Sequence, residues 1–230
     1  MKRFYKEVAV APRDGGFALQ LDGRAVKTPA RRELLVPGEP LARAIAGEWE
    51  AQGETIDPRT MPLTGLANAA IDRVAPDPAA FARDIAVYGE TDLLCYRADT
   101  PASLVARQTE AWEPLLAWAR TRYDVHFTVT AGILHRPQPS ATVARLGEAV
   151  ATFDAFGLAG LSPLVTISGS LVTALALAEG AIAPEAAFAV AHLDELWQAG
   201  QWGEDALARD ARERRAQDFA AAARFLALTR

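Results

Sequence analysis

The sequence contains a single cysteine, Cys95, so no disulfide can form within the chain. One cysteine in a chain of globular composition fits a reducing compartment. Its apolar neighbours Leu93 and Leu94 favour a buried structural thiol over a reactive one. A secretory signal is not indicated either, because Lys6 and Glu7 interrupt the short apolar run that follows the basic N-terminus. These absences predict a cytoplasmic protein.

Basic charge is in short supply, since 24 Lys and Arg stand against 29 Asp and Glu and give a net charge of −5. Proteins that neutralise nucleic-acid phosphates usually carry a basic stripe, so we expect no nucleic-acid partner. Residues 155–178 carry no charge at all, and about 20 apolar residues would span a bilayer. Pro163 and several Gly, Ser and Thr interrupt that stretch, and no basic cluster flanks it. We therefore predict a buried helix and no membrane insertion.

Catalytic and metal-binding motifs are also scarce. His192 and Glu195 are three residues apart on a predicted helix, but a metal would need further ligands and no second copy of the motif occurs. Ser168 and Ser170 lack the flanking glycines of a nucleophile elbow, so close helix packing explains the small residues here better. We predict no catalytic residue, no metal and no cofactor.

Turn signals and alternating apolar residues predict short antiparallel strands between residues 3 and 36, with a hairpin at Asp22-Gly23. A further strand is predicted at 125–130, and Pro114 is expected to kink or split the helix that contains it. The helical patterns cover residues 40–52, 63–74, 102–123, 142–156, 161–178, 184–199 and 203–228.

The predicted fold class is therefore α+β. A small N-terminal antiparallel β-rich unit with helices, residues 1–75, precedes a mainly α-helical C-terminal domain, residues 76–230. The stretch 48–72 joins the two parts in this interpretation, because glycine and proline signals place a helix end and a new helix start within it.

One polar cluster suggests binding, and it runs from His192 to Asp205. Two tryptophans and four carboxylates surround a predicted helix–turn–helix junction there. Carboxylates in a first helical turn complement the helix dipole, and the tryptophans can belong to the core. Tryptophans with charges around them are also typical anchors of protein interfaces. The residues by themselves leave both explanations open.

Six stretches, in this order, resemble the Atp-twelve family of ATP-synthase assembly chaperones: RFY at 3–5, LDGRAVKTPAR at 21–31, EWEAQG at 48–53, IDPRTMPLTGLANAAID at 56–72, TDLLCYRA at 91–98 and DELWQAGQWGED at 194–205. Members of this family lack a recognised active site. They bind the free alpha subunit of the catalytic head and keep it from aggregating before assembly. The resemblance implies a chaperone and not an enzyme, with a smaller α+β part and a helical part.

The resemblance also implies that the acidic residue of a DE-x-x-Q motif matters for function, which places it at Glu195. Asp194, Gln198 and Trp202 complete the predicted partner-binding site as its neighbours. Mitochondrial members carry a targeting segment, whereas this sequence starts at the first strand, which indicates a bacterial cytoplasmic member. The expected partner is the unassembled alpha subunit, and the expected state is a monomer. The alternatives are an enzyme of unknown reaction on an α+β scaffold and a general holdase for another client.

Overall fold

The structure is a computed structural model that describes residues 1–132 and 134–230. Within this part of the chain, four strands form an N-terminal sheet, two short strands form a second sheet, and helices make up most of the remainder, which confirms the α+β class. The strands are β1 Val8–Arg13, β2 Gly16–Leu21, β3 Arg24–Ala25, β4 Leu35–Val36, β5 Tyr96–Arg97 and β6 Thr130–Ala131. The helices are α1 Glu39–Glu50, α2 Pro62–Ala69, α3 Pro78–Ala86, α4 Ala102–Tyr123, α5 Ser140–Ala151, α6 Ala155–Ser168, α7 Leu171–Ala178, α8 Pro184–Ala191, α9 Leu193–Trp202 and α10 Ala206–Leu228.

The chain divides into two compact units built from interleaved segments. The first contains Met1–Pro78, Asp154–Gly160 and Ala221–Arg230, and the second contains Ala79–Phe153 and Leu161–Ala220. In the first unit a Cβ on Gly160 would meet Leu226 and Phe225 at 3.2 Å, so the missing side chain allows these two late segments to pack closely. The domain boundary predicted from the sequence is a single one, between residues 75 and 76, and it would separate segments 154–160 and 221–230 from the N-terminal residues. That boundary remains a prediction.

The sheet of the first unit is built around β2, which pairs antiparallel with β1, β3 and β4. Asp22 and Gly23 take positive φ angles of 48° and 75° and close the predicted hairpin between β2 and β3. The first strand begins at Val8 rather than at residue 3, because the segment before it is held by α1 instead. The hydroxyl of Tyr5 in that segment donates a 2.7 Å hydrogen bond to the carbonyl oxygen of Trp49.

The stretch 48–72 joins α1, α2 and the sheet through side-chain carboxylates. Glu48 accepts hydrogen bonds from the backbone N–H groups of Leu63 and Thr64, at 2.7 and 2.8 Å, and from the Thr64 hydroxyl at 2.7 Å. These donors lie in the first turn of α2, where backbone N–H groups have no partner within the helix. Asp72 accepts from the hydroxyl of Thr28 at 2.7 Å and from the backbone of Ala30. All of these partners belong to the first unit.

We predict that Glu48→Ala lowers the free energy of unfolding by about 2 kcal/mol, since it leaves helix-terminal donors without an acceptor. The matched control is Glu50→Ala, whose side chain is exposed and should change stability by less than about 0.5 kcal/mol. Urea titration followed by circular dichroism measures both. Equal stabilities of the two variants would contradict the role assigned to Glu48.

The core of the second unit forms where α4 and α7 pack together. Trp112, Leu116 and Ala119 of α4 are buried with Val172 and Ala176 of α7. Pro114 neither splits α4 nor ends it, since the helix is continuous from Ala102 to Tyr123. Cys95 joins this core, and burial raises the pKa of its thiol to about 12, so the predicted structural thiol is confirmed.

The charge-free segment forms two buried helices instead of the single helix predicted at 161–178. Gly169, with φ +65°, separates α6 from α7, and Ser170 caps α7 by accepting from the backbone N–H of Thr173 at 3.0 Å. The serines here therefore end and start helices, a role not predicted from the sequence. Among the described residues, no helix is long and apolar enough to cross a membrane.

A fully buried carboxylate, Asp92, holds this helix break. Its oxygens accept from the hydroxyl of Ser170 at 2.8 Å, the backbone N–H of Val172 at 2.8 Å and the backbone N–H of Leu94 at 3.0 Å. Desolvation nevertheless dominates and raises the pKa of Asp92 to about 6, while these hydrogen bonds lower it. Asp92 therefore connects the segment around Leu94 to the start of α7.

Two further predictions about elements were wrong. Residues 125–130 form a strand only at their last residue, Thr130, because side chains bind the backbone groups of His126 and Thr128 that a ladder would use. Gln138 bonds both the N–H and the C=O of Thr128 at 2.9 Å, and the Thr142 hydroxyl bonds the backbone of His126. The predicted helix 184–199 is also interrupted, since His192 ends α8 and precedes α9.

The folded protein holds the Asp92 proton more tightly than the unfolded chain does. The protonated carboxyl therefore contributes its full stabilisation below about pH 4, and this stabilisation is lost as the pH rises through about 6. The free energy of unfolding of the natural protein relative to Asp92→Asn should therefore fall by about 1.4 kcal/mol between pH 5 and pH 7. Denaturant titrations at each pH measure it, and Asp84→Asn controls for the loss of one exposed charge. A difference that does not change with pH would contradict this assignment.

Candidate partner-docking surface

The predicted partner-binding residues all lie on α9, which Gly203 ends with a φ of +83° before α10 begins. The structure gives the four residues different surroundings. Asp194 and Glu195 have partners on other elements, whereas Gln198 and Trp202 are exposed.

Asp194 connects α9 to α4. Its carboxylate accepts a 2.8 Å hydrogen bond from the side-chain amide of Gln108, a residue of α4 that is buried. The amide oxygen of Gln108 in turn accepts from the backbone N–H of Ala98 at 2.7 Å. The buried amide therefore links α9 to the segment that follows β5 by hydrogen bonds. Asp194 helps to hold α9 in place through this link.

Glu195 lies against two arginines of α10. Its carboxylate is 2.5 Å from the guanidinium of Arg215 and 3.6 Å from that of Arg212. Arg212 also pairs with Glu204, whose pKa this bond lowers. The Glu195 side chain is 35 % exposed, so its charge is partly compensated within the chain and still open to solvent. The sequence does not reveal this pairing, because Arg215 lies 20 residues after Glu195 and leaves no local spacing signal.

Large apolar side chains are exposed on the same hairpin of α9 and α10. Trp202 is 75 % exposed, and its ring meets the edge of the buried Trp197 at 5.6 Å between centroids. Leu196 and Leu207 are exposed as well, Leu207 to 76 %. We call Glu195, Leu196, Trp202 and Leu207 the docking surface. Exposed apolar side chains beside charges are typical of sites that bind other proteins.

His192 contributes to packing at the start of α9. Its ring stacks on Phe188 with centroids 3.9 Å apart, and its Nδ1 lies 3.0 Å from the Phe188 carbonyl oxygen. Burial lowers the pKa of His192. In the part of the chain that the structure describes, no group of three or more His, Cys, Asp or Glu is arranged to hold a metal ion.

A family model described as ATP12 chaperone protein matches residues 2–120, more than half of the chain. The chain belongs to the ATP12 chaperone family. This is the family of ATP-synthase assembly chaperones that the six sequence stretches resemble, so the resemblance is confirmed. Because it is a family of chaperones, the prediction of a protein that is not an enzyme is confirmed with it.

Relatives extend the ATP12 similarity beyond residue 120. The crystal structure of Atp12 from Paracoccus denitrificans is 43 % identical, with a TM-score of 0.95 over 100 % of this chain and 98 % of that one. A crystal structure from Agrobacterium tumefaciens is 42 % identical, with a TM-score of 0.96 over 100 % of this chain and 86 % of that one. The mitochondrial protein atp12 of Schizosaccharomyces pombe is 28 % identical over 88 % of this chain and 74 % of its own length. The docking surface lies in the part that these structures cover.

We predict that Asp194→Ala lowers the free energy of unfolding by about 1–2 kcal/mol, because it leaves the buried amide of Gln108 without an acceptor. Gln198→Ala, on the same helix, should be neutral within about 0.5 kcal/mol, since among the described residues its exposed side chain forms no hydrogen bond. Thermal and urea unfolding compare the two. A loss of stability in Gln198→Ala with none in Asp194→Ala would reverse the assignment.

Proposed function

We propose that this ATP12-family protein assists assembly of the ATP synthase catalytic head by binding the free alpha subunit and preventing its aggregation until it pairs with beta. The exposed apolar hairpin of α9 and α10 is the observation that carries the proposal. An alpha subunit without its partner exposes apolar surface that beta normally covers. A protein that covers this surface lowers the aggregating fraction by mass action, and it leaves when the true partner competes.

The docking surface has the chemistry that such reversible binding needs. Trp202 and Leu207 offer large apolar contacts, and both are accessible without rearrangement of the core. Burying a few such side chains supports moderate affinity, which permits release, and it requires no cofactor.

Glu195 supplies the charged part of this surface. We propose that its carboxylate takes the place of a carboxylate of the absent beta subunit and meets a cationic group of alpha. Its pairing with Arg215 fixes the side chain before binding, and its partial exposure leaves it within reach of an incoming cation. Gln198, exposed on the same helix, is proposed as a polar contact at the rim, and Asp194 supports the helix from behind.

We propose that the protein acts as a monomer in the bacterial cytoplasm. The buried Cys95 is compatible with a reducing compartment. A self-associating protein would cover apolar surface that the client needs. Light scattering at micromolar concentration reports the mass directly, and a stable dimer would contradict the monomer.

We predict that co-expression with this protein makes the alpha subunit soluble and leaves the beta subunit unaffected. Glu195→Lys and Trp202→Ser should each lower capture of alpha at least tenfold in a pull-down, because the first reverses the docking charge and the second removes the largest apolar anchor.

The matched controls are Asp84→Lys, an exposed charge reversal on α3, and Val87→Ser, an exposed apolar truncation, and both should retain full capture. Unfolding curves for every variant separate lost binding from lost folding. Solubilisation of beta as well as alpha would indicate a general holdase instead. Undiminished capture by folded Glu195→Lys and Trp202→Ser would refute the docking surface.

A further inference from the structure

A second site of different character lies in the first unit. A cavity of about 640 Å³ is bounded by the N-terminal segment, the β2–β3 hairpin and the end of α1. Three aromatic side chains, Phe4, Tyr5 and Trp49, line it. The rings of Phe4 and Tyr5 are 5.4 Å apart and those of Tyr5 and Trp49 5.6 Å apart, so they form one connected aromatic wall. Its volume lies in the range of ligand-binding pockets.

The aromatic wall is accessible at one end and fixed at the other. Tyr5 is buried and its hydroxyl donates to the backbone carbonyl of Trp49, which holds the Tyr5 ring in place. Phe4 is 63 % exposed. The wall therefore presents an apolar surface to the cavity, and Phe4 is its exposed end.

The rim of the cavity is cationic. Arg24 and Lys27 line it, both are exposed, and within the described residues neither forms a side-chain hydrogen bond or salt bridge. Asp22, the acid among the lining residues, already accepts from the backbone N–H groups of Lys6 and Glu7 at 3.1 and 2.9 Å. Arg24 interacts electrostatically with Asp22, and both cations are exposed on a protein of net charge −5, where they can meet an anionic ligand.

Two features favour a peptide over a small anion. The cavity borders the two-residue edge strand β3, which pairs with β2; the chain directly after it, Val26 and Lys27, pairs with Leu34 and Glu33. Edge strands offer backbone groups to an added strand, and pockets beside them take alternate side chains. The indole N–H of Trp49 is also buried without an acceptor among the described residues, an unfavourable state that a peptide carbonyl could relieve after a small shift of the ring.

We propose that this cavity binds an acidic, extended peptide segment of a partner protein. An apolar side chain of the segment contacts Phe4 and Trp49, and neighbouring carboxylates pair with Arg24 and Lys27. We call it the aromatic-cationic pocket. It is independent of the docking surface, which involves other residues and the opposite charge.

The test uses two fluorescein-labelled nonapeptides of alternating residues, one of leucine and glutamate and one of leucine and lysine. Fluorescence anisotropy with the full chain should show the acidic peptide binding at least tenfold more tightly than the basic one. In a two-dimensional spectrum of ¹⁵N-labelled protein, the acidic peptide should shift the indole resonance of Trp49, assigned with Trp49→Phe, and leave that of Trp202 in place.

Arg24→Glu with Lys27→Glu should weaken acidic-peptide binding at least tenfold. The matched control, Arg83→Glu with Arg107→Glu, changes the net charge equally at exposed cations of the second unit and should stay within twofold. No binding at millimolar peptide, equal binding of the two peptides, or an equal loss in both double variants would overturn the proposal. Because alpha capture is measured separately, failure here leaves the proposed function intact.

Discussion

The second unit depends on the burial of one carboxylate. Asp92 lies fully inside the protein and accepts hydrogen bonds from the segment around Leu94 and from the start of α7. A buried acceptor of this kind tolerates only one arrangement of its donors, because any donor that moves away leaves an uncompensated polar group. Asp92 therefore fixes the position at which the charge-free segment changes from α6 to α7. The start of α7 in turn determines how α7 packs against α4. The α4 residue Trp112 bonds the Val190 carbonyl of α8, and α9 follows α8 directly.

The sequence predicts the parts of this fold that local patterns determine. The hairpin at Asp22-Gly23 and the α+β class follow from turn chemistry and periodicity, whereas the expected split at Pro114 does not occur, since α4 is continuous there. The break at Ser168-Gly169-Ser170 does not follow from local patterns, because its cause is a carboxylate about 80 positions earlier in the chain. The predicted strand at 125–130 fails for the same reason, since Gln138 and Thr142 bind backbone groups that the alternation assigns to a ladder.

At the docking surface, too, some residues can be predicted from a local motif and others cannot, because their partners are distant in sequence. Glu195 and Trp202 stand out in sequence through a motif, but the arginines that hold Glu195 are on α10, and nothing local distinguishes them from a solvated face. The structure separates residues that a motif groups together: Asp194 faces a buried amide, whereas Trp202 faces solvent. Part of the motif therefore positions the helix, and part of it is free to bind.

We propose that the alpha subunit binds the hairpin of α9 and α10. Hydrogen exchange of the chain, alone and with purified alpha or beta subunit, measures this most directly, because binding slows exchange where backbone becomes covered. We expect slower exchange in peptides covering residues 193–207 with alpha and no change with beta. Protection by alpha confined to other parts of the chain, with 193–207 unaffected, would contradict it.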